Sequence, residues 1–398
     1  MTATPTTIYL DHNATTPMLP QAADAVAAVY RSAAANPASQ HTSGRYARRI
    51  LEGARDSVAA ILGARCDATY ADQIIFTSGG TEANNLAILG LAGPSPAHMI
   101  VSAIEHPSVA APAAHLRRLG WDVDILPVSD KGVVHVELLP DLLRPNTRLV
   151  SIVLANNETG VVQPVARAAQ LCADRGVLLH TDAVQAVGKI AVDFQHINAA
   201  AMTLSAHKFH GPPGIGALLV RHDAKIAPLL HGGFQQAGAR PGTEPVALAA
   251  GLQMALENWH PQRNAIGRRM TDLRDEFELQ LRGGWPDLVI NGSPAERVPQ
   301  TSNVSFPGLD RQALMMALDL AGVACSTGSA CASGSSEPST TLLAMRCPRP
   351  ILDSSLRFSL GQQTTHSEIN DAVSRILRIC NELRSGKMGR KSPLCRSP

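Results

Sequence analysis

The chain has 398 residues, of which 45% are hydrophobic and 17% charged. This composition is that of an ordinary globular protein, so it excludes a disordered or fibrous chain, and the length allows two or three domains. Thirty-five Lys and Arg against 33 Asp and Glu give a formal net charge of +2, which excludes a global field that recruits nucleic acid or a membrane and favours a small-molecule partner.

From residue 8 onward, short apolar runs that end in polar or Gly-rich turns alternate with helical patterns. The alternation is typical of β-α-β units and predicts an α/β fold with a mostly parallel sheet. After a short strand at residues 8–10, the predicted strands are 73–77, 99–103, 122–127, 149–154, 177–180, 201–204 and 215–220. The predicted helices between them are 43–62, 82–90, 108–119 and 165–174.

The pattern changes near residue 260, where His260-Pro261 predicts the end of a helix. Residues 264–281 carry apolar side chains at steps of three and four before Gly283-Gly284, which predicts one amphipathic helix stopped by glycine. Strands at 301–306 and 355–358 and helices at 311–321 and 367–383 follow. We expect a large domain over 15–260 and a smaller α+β domain made of 1–14 and 261–398, with a flexible tail at 385–398.

The cellular location can be predicted from the seven cysteines and the N-terminal residues. The cysteines show neither the dense, even spacing of a disulfide scaffold nor the CxxC pairs of a zinc site. No run approaches the roughly 18 apolar residues of a membrane span, and residues 1–7 lack the pattern of a signal peptide. We therefore expect a cytoplasmic protein without a metal site, a membrane partner or a direct nucleic-acid partner.

A glycine turn follows the first long predicted strand, in Phe76-Thr77-Ser78-Gly79-Gly80-Thr81-Glu82. Free backbone N–H groups and the Thr81 hydroxyl would face one point at the positive end of the helix dipole, where a phosphate fits. A Gly-Gly turn capped by threonine is also an ordinary way to begin a helix. The turn alone does not separate the two interpretations.

Lys208 and Asp182 each lie at the end of a predicted buried strand. A lysine there is expensive to leave charged, so its pKa should fall, and a neutral amine can form a Schiff base; a surface lysine in a loop is the alternative. Open α/β sheets bind ligands at this edge, so Asp182 could keep a pyridine nitrogen protonated. Asp182 could instead only cap a helix.

Five motifs in chain order resemble those of the cysteine desulfurases, in the class V aminotransferase group of fold-type-I pyridoxal-phosphate enzymes. They are the turn at 77–82, Ala-Asn-Asn-Glu-Thr-Gly at 155–160, Asp-Ala-Val-Gln at 182–185, Ser-Ala-His-Lys at 205–208 and Gly-Ser-Ala-Cys at 328–331. The similarity extends from Ile8 to Gly361. It implies an enzyme that uses pyridoxal 5'-phosphate to remove sulfur from L-cysteine, giving L-alanine and a cysteine persulfide.

The resemblance also implies how the cofactor is held. Lys208 would bind it covalently and then move the α proton of the substrate, while Asp182 would pair with its pyridine nitrogen. His106 would stack on the ring and assist proton transfer, although a buried structural histidine is the alternative. Asn157 and Gln185 would bind the phenolic oxygen of the cofactor. Its phosphate would be bound by Gly80, Thr81, Ser205 and His207.

The substrate and the partner subunit are assigned in the same way. Arg357 would bind the substrate carboxylate, for which a planar guanidinium is suited, with Asn36 assisting; an ordinary salt bridge is the alternative for Arg357. In a homodimer, Thr243 would reach the phosphate bound by the partner subunit.

Cys331 would accept the sulfur. It lies in a run of small residues, and desulfuration needs a thiolate nucleophile; an inert loop cysteine is the alternative. Cys325 competes for this role, but its apolar neighbours favour packing at the end of a strand. The persulfide would pass to an acceptor protein of unknown identity, for example in iron–sulfur cluster assembly. A selenocysteine lyase, an aminotransferase or a catalytically silent delivery scaffold would share much of this pattern.

Overall fold

The computed structural model describes residues 7–32, 35–66, 69–293, 295–328 and 338–386. The predicted α/β fold is confirmed. The strands of the described residues are β1 (Ile8–Tyr9), β2 (Gln73–Thr77), β3 (His98–Ser102), β4 (Asp122–Leu126), β5 (Thr147–Ser151), β6 (Leu178–Asp182), β7 (Ala201–Ser205), β8 (Gly216–Val220), β9 (Val289–Asn291), β10 (Thr301–Ser305), β11 (Val323–Ala324) and β12 (Ser355–Ser359).

The α-helices of the same residues alternate with these strands in the first two thirds of the chain and dominate the last third. They are α1 (Pro20–Ser32), α2 (Thr42–Leu62), α3 (Gly80–Ala92), α4 (Pro107–Arg118), α5 (Leu139–Leu142), α6 (Val165–Ala173), α7 (Phe194–Ile197), α8 (Val246–Trp259), α9 (Arg263–Gly284), α10 (Arg311–Leu320), α11 (Thr340–Ala344), α12 (Arg349–Leu352) and α13 (His366–Arg384). No helix among the described residues is both long and apolar enough to cross a membrane.

Seven strands form one large sheet in the order β2-β8-β7-β6-β5-β3-β4. Only β8 runs antiparallel to its neighbours, and the other adjacent pairs are parallel. Successive strand residues enter different cores, with Ile74 and Leu219 on one face and Ile75 and Leu218 on the other. Because both faces are covered, the central strands such as β7 and β8 are buried along their whole length.

A second region is built around the antiparallel sheet β12-β10-β9, and β1 pairs in parallel with β11. Its core contains Phe277, Phe306 and Phe358 together with Leu10 from the N-terminal segment. The N-terminal residues therefore pack with the C-terminal third of the chain. The domain boundaries at 15 and 260 stay a prediction.

The structure corrects the predicted glycine stop. Helix α9 continues through Gly283 and Gly284, and Trp285 is its C-cap. A Cβ built on Gly284 would lie 2.2 Å from a side-chain carbon of Leu377, a residue of α13. Gly284 thus permits close packing of two helices instead of ending one.

Candidate active site

A cavity of about 190 Å³ lies where several parallel strands of the large sheet end. Asp182 is the last residue of β6, and Ser205 is the last residue of β7. Ten of the residues predicted for the site line this cavity, namely Gly80, Thr81, His106, Asn157, Asp182, Gln185, Ser205, His207, Lys208 and Arg357. The fold therefore brings together residues that are up to 277 positions apart, from 80 to 357.

The glycine turn forms one end of the cavity. Helix α3 begins there without a side-chain cap on its N-terminal N–H groups. A Cβ built on Gly80 would lie 2.9 Å from Cγ2 of Val184 and 3.4 Å from Cβ of Ser205, so glycine is required for this close approach. The Ser205 hydroxyl is buried and has no hydrogen-bond partner among the described residues. Backbone N–H groups, a hydroxyl and the helix dipole together make a cradle suited to an anion.

His207 lies beside this cradle as a neutral side chain. Burial lowers its pKa to about 4, and the nearby Lys208 and Lys189 contribute in the same direction. Its Nδ1 lies 3.1 Å from the hydroxyl of Thr15. Any contact that His207 makes with an anion near neutral pH is therefore a hydrogen bond and not an ion pair.

The Lys208 amine sits against the N-terminal segment of the chain. Its Nζ donates to the backbone carbonyls of Asn13 and Ala14, both at 2.7 Å. Gln185 also reaches this segment, since its Nε2 donates to the Asn13 carbonyl at 3.0 Å. Residues 13 and 14 thus form part of the cavity wall and orient two predicted cofactor ligands.

Asp182 is only 4% exposed and is held by two donors. Its Oδ1 accepts a hydrogen bond from the Val184 backbone N–H at 2.9 Å, and its Oδ2 accepts one from Asn84 Nδ2 at 2.7 Å. A carboxylate that receives only donors on both oxygens is arranged as an ionised acceptor. Its remaining lone pairs are available to a cationic group in the cavity.

His106 is the N-cap of α4, and its ring faces the same cavity. Its Nδ1 accepts a hydrogen bond from the Ser108 backbone N–H at 3.1 Å and lies 2.7 Å from the Ser108 hydroxyl. Burial lowers the pKa of His106, Lys208 lowers it further, and Asp182 opposes both effects. The imidazole is therefore neutral near pH 7 and can exchange a proton.

Arg357 projects from β12 into the cavity and is 1% exposed. Its Nη2 pairs with Asp11 Oδ1 at 2.7 Å, and its Nη1 donates to the Asn157 carbonyl at 3.1 Å. Its Nε has no hydrogen-bond partner among the described residues. The guanidinium is thus fixed on one side and retains a buried donor.

Two predicted residues that the structure describes, Asn36 and Thr243, do not line the cavity. Asn36 is exposed, and its Oδ1 accepts a hydrogen bond from the Ala38 backbone N–H at 2.9 Å. Thr243 is also exposed. Cys331 and the tail from residue 387 lie outside the described residues. The roles proposed for Asn36, Thr243 and Cys331 stay predictions.

Two described residues on either side of the segment that contains Cys331 lie close to Glu158. The Ser339 hydroxyl donates to Glu158 Oε2 at 2.6 Å, and a Cβ built on Gly328 would lie 3.2 Å from the same oxygen. Glu158 directly follows Asn157, which lines the cavity. Both flanks are therefore held next to the site.

The sequence interpretation missed three functional candidates. Asn13 follows a short strand in a polar run, and Asn84 lies one turn beyond Gly80 on α3, so position on the same helix face was the available signal for Asn84. Lys189 gave no comparable signal. Its Nζ donates to Gln185 Oε1 at 2.9 Å, and burial, with Lys208 and Arg357 nearby, holds its pKa well below the usual range.

Known proteins are similar to this chain over nearly its whole length. Residues 8–371 match the aminotransferase class-V family. The chain is 39% identical over 381 residues to cysteine desulfurase IscS of Dictyoglomus turgidum, covering 95% of each protein.

Solved structures are similar as well. A NifS-like protein from Rickettsia africae superposes with a TM-score of 0.86 at 29% identity, covering 94% of this chain and 99% of that one. SspA in complex with cysteine superposes with a TM-score of 0.79 at 31% identity, covering 90% and 100%. The chain therefore belongs to the aminotransferase class-V family, in the group formed by the cysteine desulfurases.

Proposed function

We propose that this protein is a pyridoxal-phosphate-dependent cysteine desulfurase that converts L-cysteine to L-alanine and carries the sulfur away as a persulfide on Cys331. One observation carries the proposal most directly. The Lys208 amine, the Asp182 carboxylate, the His106 imidazole and the Arg357 guanidinium all line one cavity beside an anion cradle. This combination suits an amino-acid substrate and a phosphorylated pyridine cofactor.

The residues of the cavity fit that cofactor. The unpartnered Ser205 hydroxyl and the N-terminus of α3 suit its phosphate. Asp182 would keep its pyridine nitrogen protonated, and Gln185 and Asn157, which line the same cavity, would bind its phenolic oxygen. When bound, the cofactor supplies an electron sink that stabilises negative charge at the substrate α carbon.

The side chains of the chain then divide the work. Lys208 attaches the cofactor and, once released by the substrate, accepts and returns the α proton. Neutral His106 would assist proton transfer between the substrate and the cavity. Arg357, fixed by Asp11, holds the substrate carboxylate through its remaining donors.

Cys331 supplies the sulfur nucleophile. It is three residues beyond Gly328, the last described residue before it. Its thiolate attacks the substrate sulfur; a sulfur–sulfur bond forms as the carbon–sulfur bond breaks, and the carbon keeps the electron pair and takes up a proton to become alanine. Cys325 is disfavoured, because burial raises the pKa of its thiol far above the usual range.

We further propose a homodimer, a cytoplasmic location, where thiols stay reduced, and transfer of the sulfur to an acceptor protein. Iron–sulfur cluster assembly is the destination we expect.

The test is to locate the persulfide. The holoenzyme is incubated with one equivalent of L-cysteine, unreacted thiols are alkylated, and peptides are mapped by mass spectrometry. We expect one added sulfur on the peptide containing Cys331, its absence in Cys331→Ser, and its retention in the matched control Cys325→Ser. A persulfide on Cys325, or normal alanine release by Cys331→Ser, would overturn the proposal.

A further inference from the structure

The buried side-chain amide of Asn84 connects Asp182 with Ser108, and Ser108 in turn contacts His106. Asn84 is 1% exposed on α3. Its Nδ2 donates to Asp182 Oδ2 at 2.7 Å and to the Ser108 hydroxyl oxygen at 2.8 Å. Because an amide nitrogen carries two hydrogens, both are used, one toward each partner.

The orientation of this amide follows from its neighbours. If oxygen and nitrogen were exchanged, Asn84 Oδ1 would face an oxygen of the Asp182 carboxylate at hydrogen-bond distance, and neither atom could donate. The observed orientation instead leaves Oδ1 without a partner among the described residues. A missing bond to an amide oxygen costs less than two opposed acceptors, one of them charged.

The protons beyond Asn84 are then determined in turn. The Ser108 hydroxyl accepts from Asn84, so its single hydrogen points to His106 Nδ1, which is 2.7 Å away. The Ser108 backbone N–H also donates to this nitrogen at 3.1 Å. With two donors aimed at it, Nδ1 carries no proton, and the neutral imidazole carries its proton on Nε2.

We propose that Asn84 is a positioning residue: through its two N–H groups it holds Asp182 as an ionised acceptor and, through Ser108, holds His106 in the tautomer with the proton on Nε2. The inference rests on the proposed function for its meaning in catalysis. The hydrogen-bond assignment itself does not depend on which reaction the protein performs. The sequence interpretation assigned no role to Asn84.

Two variants separate the arms of this network. Asn84→Leu removes both donors with little change in volume, whereas Ser108→Ala removes only the arm toward His106. Asn85→Leu is the matched control, since Asn85 is the next residue of α3 and its Nδ2 donates to the backbone carbonyls of Thr81 and Ser108, not to Asp182 or the Ser108 hydroxyl.

The first measurement is the ¹⁵N spectrum of the holoenzyme labelled on histidine, with the His106 signals assigned from His106→Gln. We expect the wild type and Asn85→Leu to show the tautomer with the proton on Nε2, and Asn84→Leu and Ser108→Ala to show a mixture of tautomers. An unchanged His106 spectrum in both variants would overturn the assignment. Ser108→Ala also serves as the test if Asn84→Leu does not fold.

The second measurement is exchange of the α proton of L-alanine with solvent deuterium, which does not require Cys331. We expect Asn84→Leu to lower this exchange rate about tenfold or more, as expected when reacting groups are misplaced, while the cofactor stays bound. In the double variant Asn84→Leu/Ser108→Ala, the exchange rate should fall no further than in Asn84→Leu alone, because Asn84→Leu already breaks the arm toward His106. An exchange rate equal to that of Asn85→Leu would refute the positioning role, whereas exchange with no desulfuration in the wild type would refute the proposed function alone.

Discussion

At the scale of single residues, the site combines the neutral imidazoles of His106 and His207 with the carboxylate of Asp182, whose two oxygens each accept a hydrogen bond. Burial keeps His106 and His207 neutral by lowering their pKa values. The Asp182 carboxylate, in contrast, is stabilised by Asn84 and the Val184 N–H. The cavity therefore contains the Asp182 carboxylate and the Lys208 amine together, while His106 and His207 stay neutral.

The first prediction concerns that negative charge. Asp182→Asn should keep the cofactor, which Lys208 and the anion cradle still hold, but lower turnover by roughly 100-fold, the scale typical of one catalytic group. The measurement is alanine production in holoenzyme whose cofactor content is checked by absorbance. Asp72→Asn, a buried carboxylate that accepts from Arg65 and Gln195, is the control. Near-normal turnover of Asp182→Asn would contradict the role.

The second prediction concerns Glu105, which is buried next to His106. Burial raises its pKa to about 8, the Ser102 hydroxyl opposes the shift, and Asp182 adds to it. Between pH 4.5 and 8 the folded protein thus keeps a proton that the unfolded chain releases. The free energy of unfolding should fall as pH rises through this range, by up to about 1.4 kcal/mol per pH unit.

Glu105→Gln cannot titrate, so its stability should depend less on pH over the same range. The measurement is the urea midpoint of both proteins at pH 5, 6.5 and 8. We expect the difference between variant and wild type to move in favour of the variant as pH rises. A difference that stays constant across the three values would contradict a protonated Glu105.

At the scale of helices and strands, the sequence predicts the large sheet within a few residues because its strands, apart from the edge strand β4, are mostly buried. Helix α1 was not predicted, and α8 was predicted only by its end at His260-Pro261. Helix α8 buries apolar residues on most of its sides, so it shows no distinct amphipathic stripe. Helix α1 buries only Ala22. The short strand β9 has too few residues to show a pattern.

The third prediction concerns the N-terminus of α3. Gly80→Ala places a Cβ against Val184 and Ser205, and such overpacking typically costs about 1–3 kcal/mol. We expect cofactor retention, measured as the dissociation constant of pyridoxal phosphate, to weaken about tenfold or more. Gly53→Ala is the control, because a Cβ on Gly53 meets nothing within 4 Å. Equal retention in the two variants would show that the turn does not hold the phosphate.

At the scale of the whole molecule, the cavity combines segments that no local pattern connects. Ten of its residues were predicted because motifs mark them. Asn13 and Asp11 were not, because they reach the site only through the packing of the N-terminal segment with β12 and the turn at 156–160. Long-range packing of this kind leaves no periodic signal in the sequence.

The fourth prediction concerns assembly. Phe234 is 95% exposed, near the exposed Leu230, and lines a surface cleft of about 620 Å³. Burying such a side chain contributes about 1.5–3 kcal/mol, so Phe234→Asp should weaken a homodimer at least tenfold in sedimentation velocity. Leu320→Asp, in an 80% exposed position of α10, should leave it intact. A wild type that is monomeric and fully active would contradict the dimer.

We expect the cavity to remove sulfur from L-cysteine. The most direct measurement incubates the holoenzyme with L-cysteine and a thiol reductant and quantifies alanine and sulfide over many turnovers. We expect the two products to appear in equal amounts and Cys331→Ser to form almost none of either. Formation of a keto acid without sulfide, or sulfide with pyruvate in place of alanine, would contradict this expectation.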